Sequence, residues 1–118
     1  MAVDIRLTQN ADYLLCILYK AYRERCKNGT SSGDAKFFGG SEEIQKDYVP
    51  EWPTHDIDEA ARELDKAGML DCLFGDIELC ESRILPDGII YMENRFGDKF
   101  DQLLQRIATL STFIPHRG

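Results

Sequence analysis

Between residues 54 and 91 the chain carries a run of local signals that few folds can accommodate. Ile57, Ala60, Ala61 and Leu64 recur at helical spacing, and Gly68 falls where a helix C′ residue belongs. That helix starts at Thr54, or at Asp56 with Glu59 completing a capping-box-like pair. Two strand-like runs, 70–74 and 77–84, then flank Gly75-Asp76 and read as a hairpin. Pro86 opens a further helix, where its missing N–H costs nothing. Ile89, Met92 and Phe96 give that helix an inner face, and Gly97 interrupts it.

The hairpin register governs two cysteines. A two-residue turn pairs Cys72 with Leu79, whereas a three-residue turn over 75–77 sets Cys72 opposite Cys80. Only the second arrangement permits a cross-strand disulfide.

Upstream, Thr8 caps a first helix running to about Lys27. Ala11, Leu14, Leu15, Leu18, Tyr22 and Cys26 form its buried face, and Tyr13, Ile17 and Tyr19 widen the stripe. A stripe that broad suits a central helix, and Asn28-Gly29 ends it. The polar segment 29–36 is no phosphate loop, because Asp34 follows Gly33 where a P-loop has lysine. Residues 35–38 read as a short strand, broken by Gly39-Gly40. Ser41 then caps a second helix whose Ile44 and Tyr48 face the core, and Pro50 and Pro53 bound a turn that holds Trp52 as a packing anchor. A last amphipathic helix over about 98–111 aligns Phe100, Leu103, Leu104 and Ile107, either as core or as a dimer surface.

These parts predict an α+β, mostly helical single domain over residues 1–118, with a core at about 8–97. A chain of 118 residues can bury a core without staples. The four cysteines contain no Cys-x-x-Cys pair and the histidines are only His55 and His116, so neither a metal site nor a cofactor is expected. The thiols are expected to be reduced and mostly buried. No local signature marks a Cys–His pair or a tuned carboxylate, so an enzyme is not expected. No apolar run approaches the ~20 residues of a membrane span, and the N-terminus lacks the order of a signal peptide, which makes a cytoplasmic protein the expectation.

Two motifs carry a family resemblance. Leu64-Asp-Lys-Ala-Gly-Met-Leu resembles the ending with which winged-helix domains pass from third helix into wing. Ile84-Leu-Pro-Asp-Gly-Ile-Ile-Tyr-Met-Glu resembles the opening of the helix after the wing. Together they resemble the YjcQ-like family of small winged-helix proteins of Firmicutes and their prophages, and more loosely MarR- and PadR-type regulators. The resemblance implies a winged helix-turn-helix: a three-helix core, a two-stranded wing and additional C-terminal helices. Leu85 stands where that family usually has a capping Thr or Ser.

Charge points away from the DNA docking such a fold implies. Residues 41–81 hold thirteen acids against three bases, a net of −10 in a chain of net charge −7. The third helix and the wing would face the major groove and phosphates, yet that surface offers Asp58, Glu59, Arg62, Glu63, Asp65, Lys66, Asp76 and Glu78. Acids beside phosphate repel instead of releasing counterions. The expected function is therefore a regulatory or interaction module that binds a protein partner or itself, in one form an inhibitor or DNA mimic encoded by a mobile element. The alternative is a DNA-binding regulator using the basic end of the first helix or a dimer surface, with Lys20, Arg23, Arg25, Lys27, Lys36 and Arg83 as candidate contacts.

Overall fold

The computed structural model describes residues 6–112, in the order α1 (Gln9–Lys27), α2 (Ser32–Ala35), α3 (Ser41–Asp47), α4 (Thr54–Lys66), β1 (Leu70–Phe74), β2 (Leu79–Ile84), α5 (Pro86–Phe96) and α6 (Phe100–Ser111). The architecture is α+β and mostly helical, with one antiparallel two-stranded sheet. α1 is central: it packs against α2, α4, α5 and α6. Its Leu14, Leu15 and Leu18 are fully buried, as is the α4 stripe of Ile57, Ala61 and Leu64, with Ala60 nearly so. Burying each such leucine or isoleucine contributes about 2 kcal/mol.

The helix ends follow their local chemistry. The Thr8 hydroxyl accepts from Ala11 N–H at 3.2 Å, fixing the start of α1. Gly68 adopts φ +77°, the left-handed conformation that closes α4. Pro86 occupies the first turn of α5, and Leu85 supplies no side-chain cap. Trp52 is buried and stacks on Tyr13 at 5.7 Å, joining the α3–α4 turn to α1.

Several expectations are corrected. Gly40, not Ser41, occupies the N-cap of α3, and the buried Ser41 hydroxyl has no hydrogen-bond partner among the described residues. The reason is space: a Cβ at residue 40 would lie 2.6 Å from the Leu79 carbonyl oxygen. α4 starts at Thr54 with no side-chain cap, so Asp56 and Glu59 form no capping box. The segment expected as a strand over 35–38 instead ends α2 and adds only one bridge to the sheet, Phe37 opposite Arg83.

Neither predicted hairpin register occurs. Cys72 lies opposite Ser82, Phe74 opposite Leu79, and the register shifts between Leu73 and Phe74. β2 consequently starts at Leu79, with Cys80 in excess on its side, and all four cysteines are free thiols. Two bonds explain the register. Gly75 N–H donates to the Glu78 carbonyl at 2.8 Å, closing a longer turn, and Leu79 N–H donates to the Asp58 carboxylate on α4 at 2.9 Å. Cys80 is exposed, contrary to the expectation of mostly buried thiols.

Candidate interaction surface

The eight residues expected to form an interaction face divide into two groups. Asp58, Arg62 and Glu63 serve the fold. Asp58 holds β2 as just described, and Glu63 accepts from both Thr8 N–H and the Thr8 hydroxyl at 2.8 Å. The Arg62 guanidinium lies 4.1 Å from the Phe74 ring centroid and donates to the Ile77 carbonyl at 3.3 Å, bracing the hairpin against α4. Glu59, Lys66, Asp76 and Glu78 are exposed, and Asp65 is half-buried. His55 stands beside Glu59 at 3.8 Å.

The outer face of the hairpin adds apolar surface to this acidic setting. Leu73 is 64% exposed, Ile77 75% and Phe37 48%. Phe37, Asp71, Leu73, Glu81 and Arg83 line a shallow groove of about 370 Å³ there. Glu81 accepts from Gly39 N–H at 2.8 Å, and the Ser82 hydroxyl donates to the Gly39 carbonyl at 2.7 Å. These bonds fasten the 37–39 segment to β2.

The cations of the alternative reading are spread among internal contacts. Arg25 donates to the Ala35 carbonyl at 3.2 Å, the Phe37 carbonyl at 2.6 Å and the Tyr48 hydroxyl at 2.7 Å, with its guanidinium 4.5 Å from the Phe38 ring centroid. Arg23 donates to the Gly97 carbonyl at 3.2 Å, with its guanidinium 5.8 Å from the Tyr19 and 5.4 Å from the Phe100 ring centroid. Lys20 pairs with Glu24 at 3.1 Å and Arg83 with Asp71 at 3.0 Å. Lys27 is exposed at the rim of an open cleft of about 790 Å³ shared with Arg23, Glu24, Asn28 and Phe100, and Lys36 is half-buried. Arg25→Lys is therefore expected to lose about 1–2 kcal/mol, because a point-like ammonium cannot serve three acceptors set by a planar fork. Urea unfolding of the variant checks this.

The proposed dimer helix sits largely on its own protomer. Leu103 is fully buried, Phe100 and Ile107 pack against the core, and Leu104 stays exposed. Leu103 therefore belongs to the core rather than to a free helix face.

One cluster went unread in the sequence. Asp12, buried in α1, accepts from Arg95 of α5 at 2.6 and 3.4 Å, and from Arg106 of α6 at 2.9 Å. Burial pushes its carboxyl up, but the hydrogen bonds and charges of the two arginines outweigh that and hold it below the ordinary carboxylate range. Burial and the same carboxylate push the Cys16 thiol up to about 12, and its S–H points at Asp12 from 3.6 Å. The available signal was position: Asp12, Cys16 and Tyr19 share one helical stripe, so an acid there needed a cation. Such a thiol is protonated at neutral pH and is a poor nucleophile. His116 lies outside the described residues.

Among the described residues, no cluster of three or more His, Cys, Asp or Glu is placed to hold a metal ion, and no helix is long and apolar enough to cross a membrane. No protein-family model, no curated protein and no solved structure matches the chain.

Proposed function

We propose that this chain is a non-enzymatic winged-helix module that binds a protein partner through the acidic face made by α4 and its wing, the β1–β2 hairpin. The order of parts supports the winged-helix reading: a long helix, the one-turn α2, a short segment bridged to the sheet at Phe37, two helices, a hairpin and two further helices. The observation that carries the functional reading is an imbalance in how charges are used. Arg25, Arg23, Lys20 and Arg83 engage acceptors within the chain, whereas Asp76 and Glu78 stand exposed on either side of the apolar Ile77 in sequence, and Glu59 is exposed on α4 beside His55. Such a face suits a partner that presents lysines or arginines around an apolar patch. DNA itself gains little there, since each acid opposes a phosphate.

The test joins partner capture with charge reversal. Immobilised protein is expected to retain a basic partner from host extract at low salt and release it as salt rises, because exposed charges act within a Debye length of about 10 Å at 0.1 M. The triple variant Glu59→Lys, Asp76→Lys, Glu78→Lys is expected to lose at least about tenfold in affinity, roughly 1.4 kcal/mol or more. Retention of the same partner by that variant, or a shift of duplex DNA by the wild-type protein at low salt, would overturn the reading.

A further inference from the structure

The hairpin has an edge whose hydrogen-bonding direction can be read from its neighbours. Ser82 gives its carbonyl to Phe38 N–H at 3.0 Å, and Ile84 N–H donates to the Lys36 carbonyl at 3.0 Å. Both β2 residues thus turn their main-chain groups away from β1. The hydrogen-bonded pairs of the ladder are then Asp71 with Arg83 and Leu73 with Glu81. The flanking bonds agree: Leu85 N–H reaches the Met69 carbonyl at 2.9 Å, and Gly75 N–H reaches Glu78. Leu70, Cys72 and Phe74 therefore direct their main-chain groups away from β2, and no hydrogen bond from another described residue reaches those groups. Leu70 is buried, so the accessible stretch is centred on Cys72 and Phe74, both half-buried.

The usual defences of a strand edge are sparse here. β1 has no lysine and no proline, and the register shift leaves its excess residue on β2. Its surroundings are acidic. Burial pushes the Cys72 thiol up to about 12; Asp65 and Asp71 add to that rise, Arg62 opposes it, and Asp71 is itself paired with Arg83. Asp76, Glu78 and Glu81 continue the same sign along the hairpin, beside exposed Leu73. A second copy would bring its own acids against these, so like charges disfavour self-pairing.

We propose that the open edge of β1 receives an extended, lysine- or arginine-rich segment of the partner protein, which adds as a strand and sets an apolar side chain against Leu73. The idea rests on the protein-binding reading and specifies its mode. Main-chain bonds at Cys72 and Phe74 would supply the pairing, and the flanking carboxylates would select basic residues.

Hydrogen exchange by NMR tests it on the full chain, with an eight-residue peptide of alternating lysine and valine as probe. The expected result is exchange slowed about tenfold or more at the Cys72 and Phe74 amides. Asp71 and Leu73, already bonded to β2, would change little. The same peptide N-methylated at every valine should give no protection, and Leu73→Lys, at an exposed position, should weaken binding of the unmethylated peptide about tenfold. Equal binding of both peptides without protection overturns strand addition while leaving the acidic-face reading intact. Absence of any binding overturns strand addition as well, and partner capture then decides the broader reading separately. Protection that rises with protein concentration alone would assign the edge to a second copy and overturn the proposal.

Discussion

Gly88→Ala is expected to destabilise the protein by about 3 kcal/mol, lowering the melting temperature by roughly 10 °C. Gly88 is buried in the first turn of α5, and a Cβ there would lie 2.6 Å from the Met69 carbonyl oxygen and 3.3 Å from Ile84 Cγ1. That carbonyl cannot retreat cheaply, because it accepts Leu85 N–H at 2.9 Å just before α5 begins. The sign is diagnostic. In an isolated helix the same change would gain about 1 kcal/mol from propensity. A stability equal to or above wild type in urea titration would show that α5 sits farther from the β1 entrance than described.

The second large effect concerns Asp12. Asp12→Asn is expected to cost about 2–3 kcal/mol near neutral pH, toward the low end for a broken buried pair because Arg95 and Arg106 are partly exposed and can rehydrate. The pH dependence has a definite sign. A carboxyl held below its ordinary value of 3.8 stabilises the fold above that value. The contribution is lost as pH falls from about 4 through the lowered folded value. The gap between wild type and Asp12→Asn in urea midpoint should therefore be constant from pH 7 to pH 5 and narrow below pH 4. Other carboxylates titrate in both proteins, so the difference isolates this one. A gap unchanged at pH 3 would rule out the ion cluster as its source.

What could be read in the sequence was what local chemistry decides. Thr8, Gly68, Pro86 and Gly97 mark helix ends through their own hydroxyls, rings or left-handed freedom, and all four stand at the element boundaries. The mostly helical α+β class followed from such signals. The hairpin register did not, because it depends on Asp58, twenty-one residues before the Leu79 amide it holds. Ser41 failed as a cap for a similar reason: the backbone of β2 leaves no room for a side chain at residue 40. In the candidate surface, charge type was plain but charge use was not. Arg25 and Lys27 look alike in sequence, yet one spans three acceptors and the other is exposed. Those acceptors are two carbonyls and a phenol, groups that no charge count registers.

The Asp12 cluster also bears on the order in which the protein is built. Synthesis proceeds from the N-terminus, and the partners of Asp12 lie 83 and 94 residues downstream. A nascent chain that has made α1, α4 and the hairpin still lacks both guanidinium groups. Its central helix then carries a lone acid on the stripe it must bury, which opposes docking until α5 and α6 arrive. Closing contacts over such separations is slow compared with forming a helix. The buried acid of the first long helix is therefore compensated only by side chains of the last two helices, so the core around α1 is complete only with α5 and α6 in place.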